Sequence, residues 1–347
     1  MKKVKNNELL VWHFPNYDEF DKICEKLPIG ALLEYEPSSA IYHYTGTHGM
    51  KGIIESKRIR FTDAYFMNDS TELEYATKII NKVLDEYFEH HPELRDLLAH
   101  FKERMLYSIS ALGFYLACFS EEKAKLSQWR SYGSYCLEFC TSNDIRVDRH
   151  PIMNDKWSPA LFRRVEYDKG RQEYFVRLIL DSIIEKFIEN ISYYTKSRNN
   201  VINDYGSFFI SAVSELIIAF KDPVFEEERE WRIVYISPRR DDKDLQNINF
   251  REKNDVIVPY TDIELKAVND NEFQEYQDNL QADKGHVSSN DYSKFVEDYG
   301  KFPLSSISIG PRFRPELDYK SIKLLLKKHK LSNASIGQYN IPLRDGW

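Results

Sequence analysis

Between Phe175 and Ile191 the chain repeats large apolar residues every four positions: Phe175, Ile179, Ile183, Phe187 and Ile191. Val176, Leu180, Ile184 and Ile188 lie alongside them. A stripe that wide is not satisfied by one neighbour, so the helix it predicts is buried on more than one side. A second apolar segment, Phe208 to Phe220, is its expected partner. The two form a predicted hairpin of helices inserted between strands.

The rest of the chain reads as short strands mixed with helices. Strand patterns occupy 40–44, 58–62, 113–119, 135–139, 162–167, 230–236, 305–309 and 334–341. Helical spacing predicts helices through Met50 to Ile54, from Leu73 to Tyr87, from Pro92 to Leu106 and from Asp318 to His329. No regular alternation of strand and helix runs through the pattern. The expectation is therefore an α+β fold with a mixed central sheet rather than a doubly wound one. Residues 1–38 read as an N-terminal extension with one short helix, on which Phe20, Ile23, Cys24 and Leu27 share a stripe and Pro28 ends it. Residues 39–347 read as a single domain with a helical insertion around 170–221 and a polar, exposed insertion around 262–303. The segment from Arg239 to Asp255 is charged and reads as a loop.

Composition narrows the function classes. A net charge of −7 argues against extensive binding of duplex nucleic acid, whose affinity comes from displaced counterions. Nothing in the N-terminal residues resembles a secretion signal. No uninterrupted apolar run approaches the ~20 residues of a membrane span. The four cysteines have no zinc spacing and read as reduced thiols, as in a cytoplasmic protein.

Polar motifs interrupt the apolar pattern at a few places. In Glu228-Arg229-Glu230-Trp231-Arg232, alternation puts Glu228, Glu230 and Arg232 on one strand face, where Val234 and Ile236 follow. Carboxylates at the entrance to a core are candidates for charge stabilisation, and equally for a strand-edge salt bridge between Glu230 and Arg232. In Tyr42-His43-Tyr44-Thr45-Gly46, His43 shares a face with Ile41, between two tyrosines turned outward, and a Thr-Gly turn follows. Strand-to-helix turns are places where ligands dock. The polar turn Ser127 to Gly133 carries Trp129, Arg130 and Tyr132, which suit a ring and a phosphate, or pin a turn with a buried Trp. Asp69 to Glu72 and Thr71 to Glu74 match capping boxes, with Asn68 left over. Walker loops, Rossmann glycines, HExxH and GxSxG are all missing from the sequence.

In order and spacing, these motifs resemble the bacterial family labelled domain of unknown function 2971 (DUF2971). The matches are Tyr42 to Thr45, Arg60-Phe61 with Asn68, Asp69 and Glu72, Cys118 to Ser120, Gln128 to Gly133, Glu228 to Arg232, Ile309 to Pro311 and Asn340 to Pro342. The opening strand with His43, followed by a helix and a second strand, also resembles the start of ADP-ribosyltransferase folds. That resemblance implies NAD as the substrate and a macromolecular acceptor or water. It implies that Glu230 is the late catalytic glutamate, with Glu228 completing a pair. It further implies that His43 holds the adenosine ribose, Tyr44 or Tyr132 stacks on nicotinamide, and Arg130 or Arg232 meets the pyrophosphate. Thr45, Asn68 and Trp129 complete the expected cofactor-binding set. An effector role in antiviral defence or a toxin system is what such families imply. On this reading Glu230→Gln leaves the melting curve unchanged and lowers NAD turnover by orders of magnitude.

Two other readings compete. In a metal-dependent nuclease, Asp69, Glu72, Glu228 and Glu230 would converge on Mg²⁺. In a non-enzymatic sensor or interaction module, the polar stretch from Asn269 to Asp298 would be the contact surface.

Overall fold

The computed structural model describes residues 37–67, 72–148, 156–191, 198–238, 245–284, 288–311 and 315–339. The predicted N-terminal helix, Asn68, Asp69 and Asn340 to Pro342 lie outside these residues. In chain order the first elements are β1 (Ala40–Thr45), α1 (Thr47–Ser56), β2 (Arg58–Asp63), α2 (Glu72–His90) and α3 (Arg95–Ala111). Then come β3 (Leu112–Ser120), α4 (Leu126–Tyr132), β4 (Tyr135–Cys140), β5 (Asp144–Asp148), β6 (Trp157–Pro159) and β7 (Phe162–Arg164). The helices α5 (Lys169–Ile191) and α6 (Arg198–Ala219) follow, and then β8 (Glu230–Pro238), β9 (Asn249–Lys253) and β10 (Val256–Val268). The chain continues through α7 (Asp270–Lys284), α8 (Ser289–Tyr299), β11 (Leu304–Ile309), α9 (Pro315–Lys328) and β12 (Ser335–Gln338).

The fold is α+β, with a mixed sheet of twelve strands; only β11 and β12 run parallel, and the other strand pairs are antiparallel. Strand alternation gives the sheet two apolar faces. On one, Phe114, Leu116, Val234 and Ile236 meet α2, α3, α5 and α6. The wide stripe of α5 is used here: Phe175, Val176, Ile179, Leu180, Ile183 and Phe187 are all buried in this core. The other face carries Phe119, Trp231, Ile233 and Tyr235 and is covered by Ile53 and Ile54 of α1 and Ile322 and Leu326 of α9. Asn200–Ala219 is long and apolar enough by composition to cross a membrane, although Asn203, Asp204 and Glu215 interrupt its apolar run; 82% of its most apolar stretch is buried within the fold.

The sheet is split at β3. One edge of β3 pairs with β8 along its whole length, from Leu112↔Pro238 to Ser120↔Glu230. On the opposite edge β1 touches only at Tyr42↔Ser120, and β2 only at Thr62↔Leu116 and Asp63↔Tyr115. β1 and β2 therefore diverge, and the backbone around Cys118 is left without a strand partner on that edge. A notch opens there, roofed by α1, which joins the two diverging strands.

Several sequence expectations need correcting. The polar turn from Ser127 to Gly133 is the helix α4, ended by Gly133 at φ 128°. A Cβ at Gly133 would meet the backbone of Thr45 and Gly46 at 2.4–2.6 Å, so only glycine lets α4 close against β1. The segment read as the loop 239–255 contains β9, and β10 runs on through the supposed polar insertion. Ile263 and Leu265 of β10 are buried, while its outward residues are polar, which hid the strand. The stretch Asn269 to Asp298 forms α7 and α8, which pack Phe295 and Val296 onto Trp157 and Val268 in a small core of their own. β5 and β6 were not expected. The partner of α5 begins at Arg198, ten residues before the predicted Phe208.

Candidate functional site

Beneath the notch lies a cleft of about 890 Å³. His43, Tyr44, Thr45, Tyr132, Glu228 and Glu230 line it, as do Glu72, Cys118 and Lys221. The strand β1 supplies the first three, α4 supplies Tyr132, the turn before β8 supplies Glu228 and the first residue of β8 is Glu230. Gly46, Gly49 and Gly52 also line the cleft, and at Gly46 and Gly52 a Cβ would meet nothing within 4 Å. That wall is bare backbone with open space before it.

The floor is a buried cluster of charge. The ammonium of Lys221, just beyond α6, pairs with three carboxylates: Glu72 at 2.9 Å, Glu228 at 2.7 Å and Glu230 at 2.9 Å, with hydrogen bonds to the last two. Arg232 donates Nε to Glu230 at 2.9 Å, and Nη2 to Glu72 at 2.7 Å and to Glu230 at 3.1 Å. Its Nη1 reaches the Ile218 carbonyl at 2.8 Å. The Tyr132 hydroxyl donates to Glu228 at 2.8 Å. Tyr167 accepts the backbone N–H of Glu230 at 3.1 Å.

Geometry explains the alternation. Arg229 sits in the left-handed region at φ 42°, so Glu228 belongs to a 3-10 turn (Pro223–Glu228) and only Glu230 begins the strand. Both carboxylates still reach the same ammonium. Glu230 and Arg232 are 4% and 1% exposed, so this is not a strand-edge salt bridge but a paired network inside the fold.

Burial and charge set the protonation states. Burial opposes ionisation of Glu230, but Arg232 and Lys221 outweigh it and hold its carboxyl down at about 2. Burial likewise opposes the charge on Lys221, and Glu230, Glu72 and Glu228 outweigh it, raising its pKa. Burial, then the Glu230 charge, raise the Cys118 thiol well above its ordinary value, so it stays protonated and donates to Glu230. Burial and Glu228 raise the Tyr132 phenol.

At the other side of the notch, His43 Nδ1 lies 2.8 Å from the Cys118 carbonyl. A carbonyl only accepts, so Nδ1 carries the proton. Burial lowers the pKa of His43, which keeps the ring neutral with Nε2 as an acceptor. The ring also packs against Phe119, centroid to centroid 5.5 Å.

Other expected site residues stand elsewhere. Arg232 does not line the cleft; its donors are taken by Glu72, Glu230 and Ile218, so it is not free to meet a pyrophosphate. Trp129 is 6% exposed, packed between Tyr44 and Tyr339 and beneath Gly310. Arg130 is exposed and does not line the cleft. Tyr44 is not turned outward: it is 7% exposed, and its hydroxyl donates to Glu122 O at 2.7 Å and accepts from Lys125 N–H at 3.1 Å. Glu72 was read as part of a capping box; its carboxylate is spent on Lys221 and Arg232 instead. The same two cations occupy the glutamates that a metal would have needed. Among the described residues no group of three His, Cys, Asp or Glu is arranged to hold a metal ion. Cys118, Cys136 and Cys140 are free thiols; Cys24 lies outside the described residues.

Sequence reasoning missed Lys221. Its one signal was position: a lone cation directly after the apolar run that ends at Phe220, and nine residues before Glu230.

Residues 128–233 match the model of a family described as protein of unknown function, DUF2971. The matched segment runs from Gln128 in α4 to Ile233 in β8, so it contains Tyr132, Lys221, Glu228, Glu230 and Arg232. The family resemblance read from the sequence is borne out over that segment. No curated protein and no solved structure matches the chain.

Proposed function

Taking the segment shared with the DUF2971 family as the premise, we propose that the cleft serves an NAD-consuming enzyme. It transfers ADP-ribose to a protein or nucleic acid, or hydrolyses the ribosyl–nicotinamide bond. One observation carries the reading: His43, Tyr132 and Glu230, whose carboxyl Arg232 and Lys221 hold well below the ordinary range, line a single cleft of about 890 Å³, within the size range of ligand pockets.

The chemistry follows from the charge. Breaking the bond to nicotinamide builds oxocarbenium-like charge on the ribose carbon. A carboxylate fixed beside that ribose stabilises the charge without having to reorganise. Glu230 is suited to this, because Lys221 and Arg232 fix its position and keep it ionised. Glu228, half-buried and held by Tyr132, lies at the rim as the second carboxylate. The Nε2 of His43 accepts from a ribose hydroxyl. Because Tyr44 is committed beneath α4, stacking on nicotinamide falls to Tyr132.

A second reading is favoured by the completeness of the cluster. Every carboxylate oxygen of Glu72, Glu228 and Glu230 is already engaged by a hydrogen bond or an ion pair, as in a purely structural clamp. A non-enzymatic module would be built that way.

The test is nicotinamide release from NAD by the full chain, with and without protein and single-stranded nucleic acid as acceptors. The His43→Ala and Tyr132→Ala variants should lose release while retaining a cooperative melting transition. Absence of both release and NAD binding by calorimetry would leave the clamp reading standing. Glu230→Gln is a poorer probe than the sequence implied. Its carboxylate is sandwiched between two buried cations, so the expectation of an unchanged melting curve is withdrawn.

A further inference from the structure

The same cleft carries a second charged surface, opposite in sign to the glutamates. Directly paired residues of neighbouring strands point to the same face. The register sets Asp262 beside Arg60, Tyr260 beside both Thr62 and Asn249, Val258 beside Arg251 and Val256 beside Lys253. Arg58, Arg60 and Thr62 of β2 therefore share a face with Arg251 and Lys253 of β9. All five line the cleft.

These side chains are not equally committed. Arg58 is bound to Asp148 at 2.8 Å, to Glu264 at 3.3 Å and to the Asp262 carbonyl at 3.0 Å. Arg60 lies 3.9 Å over the Tyr260 ring and 3.5 Å from Asp262. Arg251 gives one N–H to Thr62 Oγ1 at 3.2 Å and makes no ion pair among the described residues. The Nε atoms of Arg60 and Arg251 are both buried without a hydrogen-bond partner among the described residues. Both Nε atoms are closed to solvent, and that of Arg60 faces Asp262, so an anion in the cleft meets the terminal nitrogens of these guanidinium forks. Burial, and then the neighbouring Arg60, lower the pKa of Arg251; burial, and then Arg251, lower that of Lys253. At this end of the cleft the carboxylates are Asp262, shared with Arg60, and Glu55, held by Lys51 at 2.7 Å.

We propose that Arg60, Arg251 and Lys253 form a phosphate-binding subsite that takes the phosphate groups of a nucleotide lying along the cleft. Planar arginine forks match phosphate oxygens in pairs, and the lysine adds a point charge. The subsite deepens the NAD reading, and rests on it for the identity of the nucleotide but not for the anion chemistry. It also fills the role that Arg130 and Arg232 cannot. The phosphates belong either to the dinucleotide itself or to the backbone of a nucleic-acid acceptor.

Calorimetry on the full chain separates these cases, using ADP, adenosine and a short single-stranded oligonucleotide as probes. The proteins are the native chain, Arg251→Lys, and the double variant Arg251→Gln with Lys253→Gln, each checked for an unchanged melting transition. ADP should bind more tightly than adenosine. The double variant should weaken ADP by about tenfold or more and leave adenosine unaltered, with Arg251→Lys in between. Weakening of the oligonucleotide alone would assign the subsite to an acceptor strand. If neither phosphate-bearing probe binds the native chain, or if both bind the double variant equally well, the subsite is refuted. NAD turnover is measured in parallel. Turnover with unchanged affinity for both phosphate-bearing probes removes the subsite alone, and charge-dependent ADP binding without turnover removes the NAD reading alone.

Discussion

At the floor of the cleft, three carboxylates and two cations pair with one another at 2.7–3.1 Å; on the wall formed by β2 and β9, Arg251 has a threonine hydroxyl and no carboxylate of its own. Both surfaces line one cavity, yet their costs are arranged differently. The floor has its counter-charges built in, and they hold the Glu230 carboxyl ionised down to about pH 2. On the wall Arg60 shares Asp262, whereas Arg251 makes no ion pair among the described residues, so an anion from outside completes its electrostatics. The contrast separates two uses of buried charge. Satisfied charge positions a group, whereas unsatisfied charge selects a ligand.

The largest blow to this contrast should come from Lys221→Met. It leaves three carboxylates facing Arg232 alone, and breaking a buried network by removing one partner costs about 3–5 kcal/mol. Urea unfolding would measure this, and a loss below about 1 kcal/mol would show the cluster to be far wetter than its geometry implies.

Next in size is the response to acid. The folded pKa of Glu230, about 2, lies below the ordinary 4.5, so the stability it contributes is full above about 4.5 and is lost as pH falls toward 2. Unfolding measured across that window should show a decline in the native chain that Glu230→Gln lacks in part. Identical slopes would remove Glu230 from the acid response.

Tyr132→Phe should have a smaller effect. It removes one donor to Glu228 while Lys221 remains, and the expected cost is about 1–2 kcal/mol, read from the denaturation midpoint. The smallest effect should fall on the wall. Arg251→Gln breaks no ion pair among the described residues, so stability without ligand should stay within about 0.5 kcal/mol of native. A large loss there would mean that the wall, like the floor, is structural.

How much of this was legible in the sequence depends on where each side chain finds its partner. The stripe from Phe175 to Ile191 announced its own burial, because helix periodicity is local. Alternation around Trp231 put Glu230 and Arg232 on the same face, and the structure agrees. Lys221 was invisible, since nothing local shows that the residue after Phe220 turns toward Glu72, 149 positions earlier (221 − 72 = 149). β10 was missed for a related reason. Its outward face carries Tyr260, Asp262 and Glu264, which looks like a loop until β2 pairs with it and supplies Arg60 and Arg58 opposite. Arg251 and Lys253 went unnoticed with it. Trp129 and Tyr44 were read as ligand-facing because aromatic residues in polar segments suit rings, yet α4 folds one onto the other.

The floor also has an assembly order written into its spacing. Lys221 meets Glu228 and Glu230 across seven and nine residues, and Arg232 meets Glu230 across two. Four of the five members can gather within a single turn-and-strand segment. Glu72 must come from 160 residues away to reach Arg232. Bringing Glu72 so far costs the entropy of closing a long loop, and the packing of α2 in the helical layer offsets it. The last glutamate thus acts as a latch: a chain that has collapsed without seating α2 holds two carboxylates against two cations, and the cleft floor carries its full negative charge only once the fold is complete.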